Sequence, residues 1–174
     1  MTTFETLYSR KSVRKYTGQS ISDDQLKQIL KAAYAAPVGG AKYENLHLCV
    51  ITNKDYMNRW EEASCAFFNR PGTHPLYGAP TVVLVSSATP MNNANYSNAA
   101  IVVHNMALAA AELGLGACHI WGAVAALGEH PELVAELNLP EGMVPCCAVI
   151  LGQTEEQYTL RDIADERIKT SYMK

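Results

Sequence analysis

No CxxC pair occurs among the five cysteines (Cys49, Cys65, Cys118, Cys146 and Cys147), and no HxxxH or HxH among the five histidines. Their spacing matches no zinc ribbon, thioredoxin-type redox pair or cysteine-held cluster, so no metal site is expected. Cys49, Cys146 and Cys147 sit in apolar runs, where cysteine behaves as a small buried hydrophobe. No G-x-G-x-x-G opens a helix after a strand, and no G-x-x-x-x-G-K-[ST] loop is present, so both common nucleotide-binding signatures are missing. The G-x-S-x-G elbow of serine hydrolases is missing too. The longest apolar stretch, residues 99–111, is broken by His104 and Asn105; a spanning helix needs roughly 20 residues. The opening MTTFETLYSRKSVRKY has no apolar core followed by a cleavage site. No membrane span or secretory signal is therefore expected, and a cytoplasmic protein is.

Basic charge is missing from half the chain. No Lys or Arg lies between Arg70 and Arg161, while seven glutamates do. The basic residues gather at the ends instead: Arg10, Lys11, Arg14 and Lys15 near the start, and Arg161, Arg167, Lys169 and Lys174 in the last fourteen positions. Side chains that bind an anion must come from the first seventy residues, the last fourteen, or both. Arg10, Lys11, Ser12 and Arg14 fall within five residues and offer guanidinium forks, an ammonium and a hydroxyl, the donors that suit a phosphate.

The 174 residues, 48% hydrophobic and 18% charged, suit one globular domain. A net charge of −3 argues against a nucleic-acid or anionic-membrane partner. Thr2 with Glu5, and Ser22 with Gln25, form capping-box patterns that predict helices over residues 3–11 and from 23 onward. Pro37, Gly39 and Gly40 end the second helix. Strands are predicted over residues 45–52, 81–87 and 143–151, and helices over 54–68, 95–113 and 131–137. Gly114 caps the long apolar helix, and residues 114–122 read as a glycine-rich turn into extended chain. The tail from residue 160 to 172 carries no clear pattern. Helices and strands alternate irregularly, which favours an α+β layered domain over a doubly wound parallel sheet.

LGLGACHIWG, residues 113–122, is the most informative stretch. Its glycines let backbone approach a flat ligand closely, so that main-chain N–H groups can reach ring nitrogens and oxygens. A helix cap explains Gly114, but not a Trp set between such glycines.

Taken together, these segments resemble the FMN-dependent nitroreductase family. SRKSVRKY (residues 9–16) is similar to its R-x-S-x-R-x-[FY] phosphate motif. KQILKAAYAAPVGGAKYENLHLCVI (27–51) is similar to its second helix, AP loop and first core strand, and YGAPTVVLV (77–85) to its second core strand. NAAIVVHNMALAAAELGLGACHIWG (98–122) is similar to its central helix and LGLG block, and ERIKTSY (166–172) to its basic C-terminal element. The resemblance implies one domain over residues 1–174, a three-layer α-β-α sandwich with a mixed, mostly antiparallel central sheet. It also implies a homodimer with FMN at the subunit interface, the tail from about residue 160 being exchanged between subunits.

By the same resemblance, Arg10, Lys11, Ser12 and Arg14 contact the FMN phosphate and ribityl chain, and Arg167 and Lys169 complete the phosphate pocket. Pro37, Val38, Gly39 and Gly40 line one side of the flavin, and Asn69 reaches its pyrimidine edge. The N–H groups of Trp121 and Gly122 point at flavin N5 and O4, where hydride arrives. Lys42 and Arg70 are candidates for the charge near N1 and O2. Val38, Ala41 and Tyr43 stand where many relatives carry Ser, Asn and Gln, and Trp121 stands where several carry Glu. The implied activity is NAD(P)H oxidation with reduction of a nitroaromatic, quinone or related small acceptor, by ping-pong turnover. Two alternatives stay open: a flavin-storing or redox-sensing module with little turnover, and a flavoenzyme reduced by ferredoxin or flavodoxin.

Overall fold

The computed structural model describes residues 1–88 and 92–173; Lys174, one of the C-terminal basic residues, lies outside them. Both capping boxes form. Thr2 and Ser22 accept from the backbone N–H groups of Glu5 and Gln25, whose side chains accept in return, and so start α1 (Thr3–Ser9) and α2 (Asp23–Tyr34). Two single-turn 3-10 segments, Gly39–Ala41 and Tyr43–Asn45, lead into β1 (Leu46–Ile51). There follow α3 (Lys54–Phe67), β2 (Thr81–Ser87), α4 (Asn92–Glu112), β3 (Gly116–Ile120), α5 (Gly122–Gly128), α6 (Pro131–Glu136) and β4 (Val144–Gly152).

The strands form one sheet in the order β1-β2-β4-β3. Every described pairing is antiparallel, in keeping with the mostly antiparallel sheet expected. Alternate residues face opposite sides. Val83, Val85, Val149 and Leu151 pack with Ile29 of α2 and Met106 of α4, whereas Val82, Leu84, Ala148 and Ile150 pack with Trp60 of α3 and Leu127 of α5. Helices thus cover both faces, giving the expected three α-β-α layers. This is why TVVLVSS is apolar almost throughout rather than alternating. One extra residue, Cys146, bulges out where Val85 pairs Cys147 and Ser86 pairs Pro145. No helix among the described residues is long and apolar enough to cross a membrane.

The region read from sequence as a turn is regular on both sides of Trp121. Gly114 (φ 71) ends α4, β3 begins two residues later, and Gly122 opens the unexpected α5. β3 lies at the sheet edge, and the chain after α1 runs beside it: Val13 N–H donates to the Ala117 carbonyl at 2.9 Å. This long-range pairing covers the edge and brings RKSVR to HIWG.

Candidate active site

Arg10 caps α1, its N–H donating to the Thr6 carbonyl. Its guanidinium is half-buried. Burial and the neighbouring Arg161 charge both pull its pKa below the usual arginine value. Arg161 is held in place, its Nε donating to the Tyr8 carbonyl at 2.8 Å. Ser12 hydrogen-bonds the thiol of Cys118, whose pKa burial nevertheless raises. Lys11 points elsewhere and pairs with Glu156 at 2.8 Å. The Arg14 guanidinium stacks 5.7 Å from the centre of the Tyr77 ring, a cation–π contact.

Arg14 opens onto a cleft of about 550 Å³, lined also by Phe68, Arg70, His74, Tyr77, His119, Trp121 and Gly122. Among the described residues no carboxylate lines it. Phe68 and Trp121 are well exposed; Phe67 meets the Phe68 ring edge-on at 4.8 Å. The floor is the β3–α5 junction, where Trp121 is the N-cap of α5. The first N–H groups of a helix have no acceptor within it, so those at the start of α5 need partners from outside the helix. Beneath this floor Trp60 is completely buried and donates from Nε1 to the Ala123 carbonyl at 2.6 Å, tying α3 to α5. The assembly combines fixed positive charge, exposed aromatic faces and backbone donors. It suits a planar ligand that carries an anionic group.

The structure thus gathers Arg14, Arg70, Trp121 and Gly122 around one cleft. Asn69, with φ 50, lines an adjoining cleft that shares Thr73 and His74 with the first. Pro37, Val38, Gly39 and Gly40 lie outside both. Gly39 N–H donates to Asn98 Oδ1 at 3.1 Å, while Gly40 and the following Ala41 take positive φ. Lys42 is 3.7 Å from Glu44 and also outside. Arg167 and Lys169 are exposed in the tail. Sequence reasoning missed Phe68, Tyr77 and His119 as cleft residues. The FFNR run beside Asn69 and the histidine inside the LGLG block were the signals available.

The five cysteines are free. Burial pushes the Cys147 thiol up to about 12, which keeps it protonated and inert.

The chain belongs to the nitroreductase family: the model described as Nitroreductase family matches residues 7–153. A protein of Methanothermobacter thermautotrophicus, provisionally named NADH dehydrogenase/NAD(P)H nitroreductase, is 28% identical over 95% of this chain and 84% of its own. A protein of the same provisional name from Archaeoglobus fulgidus is 27% identical over 92% and 90%. Among solved structures, a nitroreductase with bound FMN from Bacteroides fragilis aligns with a TM-score of 0.81 at 28% identity, covering 98% of this chain and 97% of that one. Another with bound FMN, from Desulfitobacterium hafniense, gives 0.83 at 25% identity, covering 98% of each.

Proposed function

We propose that this protein is an FMN-dependent oxidoreductase, acting as a homodimer, that passes hydride from NADH or NADPH to a nitroaromatic, quinone or related small acceptor. The observation that carries the reading is the cleft itself: arginines without a competing carboxylate, exposed aromatic rings, and backbone donors at the β3–α5 junction. This donor set fits FMN, a flat ring bearing a phosphate. Bound FMN supplies a carrier that accepts hydride at N5 and later delivers it.

The chain's residues do the rest. Arg10, Ser12 and Arg14 hold the phosphate and ribityl end, with Arg167 and Lys169 joining through the exchanged tail; Lys11 joins by leaving Glu156. Trp121 and Gly122 present N–H groups to N5 and O4, fixing the ring against the junction. Asn69 meets the pyrimidine edge, and Arg70 places positive charge where the reduced ring gains negative charge. Pro37, Val38, Gly39 and Gly40 cover the ring from the second subunit. The homodimer is supported by their separation from the cleft within one chain and by the tail, where the apolar side chains of Leu160, Ile168 and Tyr172 are exposed.

Anaerobic mixing of the FMN-loaded protein with NADH and, separately, NADPH tests the reading. Rapid bleaching by either, with parallel-line kinetics in the presence of a quinone, is the expected result. Bleaching by dithionite or a reduced protein donor alone would contradict it.

A further inference from the structure

His104 of α4 and His119 of β3 stack with ring centroids 5.7 Å apart and planes at 35°. Arg10 lies close enough to repel positive charge on both imidazoles. The charged and titratable groups around this pair come from every neighbouring element. Arg10 after α1 acts on both rings; His119 shares the cleft with Arg14, Arg70, His74 and Cys118; and Arg10 itself is flanked by Arg161 and Tyr158 of the tail. Among the described residues none of these is a carboxylate. Glu156, the acid that reaches Tyr158, is already held by Lys11. Neither Arg10, Arg14 nor Arg161 forms an ion pair among the described residues.

So Arg10, Arg161 and the two imidazoles meet part-buried, and neither arginine has an ion-pair partner among the described residues. The free protein avoids the conflict by keeping the imidazoles uncharged: burial first, then Arg10 and His104, push His119 down to about 4. A dianion placed beside Arg10 would reverse this, because an opposite charge at contact distance favours the imidazolium.

We propose that His119, supported by the His104 ring, is a ligand of the FMN phosphate beside Arg10 and takes up a proton as that phosphate binds. His119 lines the cleft, whereas His104 acts as a positioning residue by stacking behind it. The inference rests on the flavin reading above but concerns residues to which that reading gives no part. The linkage has a definite sign. A group that gains affinity for protons in the complex makes binding tighter as pH falls toward its bound pKa. FMN should therefore bind more tightly at pH 6.5 than at pH 8, whereas riboflavin, which lacks the phosphate, should not.

The test is calorimetric titration of the apoprotein with FMN at pH 7 in two buffers of different protonation enthalpy, on wild type and His119→Gln. The phosphate's own ionisation, near about 6, is common to both proteins and cancels in the difference. Wild type is expected to take up a large fraction of roughly one proton more per FMN than the variant. The variant should bind FMN on the order of tenfold more weakly, the size of a lost charge-assisted contact. Riboflavin should show no difference in proton uptake. NMR of the wild type gives a readout that does not depend on the variant folding: FMN, but not riboflavin, should move the His119 ring signals to their protonated positions. Equal proton uptake by the two proteins, or unmoved His119 signals with FMN bound, would overturn the inference and leave the flavin reading standing. Failure of wild type to bind FMN at all would remove both.

Discussion

Gly116 and Gly152 face each other across the β3–β4 ladder, and the Tyr16 ring occupies the space their missing side chains leave. A β-carbon on Gly152 would stand 2.7 Å from Pro80 Cδ and 2.9 Å from Tyr16 Cδ1; one on Gly116 would stand 2.8 Å from Tyr16 Cε1. The Tyr16 hydroxyl donates to the Val13 carbonyl at 3.0 Å. These contacts fix the segment carrying Arg10, Ser12 and Arg14 against the sheet edge. Because Pro80 is stiff, Gly152→Ala should cost about 2–3 kcal/mol of stability, as overpacking does. Urea denaturation checks this; an unchanged midpoint would show that the ring and proline yield freely.

The Arg14 guanidinium has a cation–π contact but no ion-pair partner among the described residues, so its charge is available to a ligand. Arg14→Ala should weaken FMN binding by roughly 1.5–3 kcal/mol, the range for a charge-assisted hydrogen bond. Thermal stability should change little. A fluorescence titration returning wild-type affinity would remove Arg14 from the cofactor site.

Trp60 bears on stability and site geometry together, because its Nε1–H ends on the carbonyl of Ala123, in the first turn of α5. Trp60→Phe keeps much of the apolar volume but removes that side-chain hydrogen bond, a loss of about 0.5–1.5 kcal/mol. The expected outcome is a lower denaturation midpoint together with weaker flavin binding, since the β3–α5 junction loosens. A stability loss without any change in flavin affinity would mean that the junction is held by other contacts.

The tail beyond Arg161 exposes apolar side chains that a partner subunit would cover. Sedimentation should therefore report twice the 19.0 kDa chain mass. Removing residues 160–174 should weaken both dimerisation and FMN binding. A monomeric 174-residue chain that still binds FMN would contradict the shared site.

Much of the fold was legible because local signals decide it. Thr2 with Glu5 and Ser22 with Gln25 announce their helices, and the valines of residues 81–87 announce a buried strand. Helix α5 was not legible: seven residues bounded by Gly122 and Gly128 resemble a turn, and only packing against Trp60 gives them a helical face. The site was half legible. RKSVR and HIWG each suggested ligand contacts, but what joins them is the Val13–Ala117 hydrogen bond between residues more than a hundred apart. The convergence of His104, His119 and Arg10 depends on the same pairing, and no spacing in the chain hints at it. Pro37–Gly40 could be recognised by motif, yet one chain does not bring it to the cleft.

The decisive measurement is the visible spectrum of purified protein incubated with excess FMN and then dialysed exhaustively. Retention of about one oxidised flavin per chain is predicted, as expected of a protein that binds and orients the cofactor. A colourless protein, folded by circular dichroism, would contradict the flavoenzyme reading and leave the family membership without its chemistry.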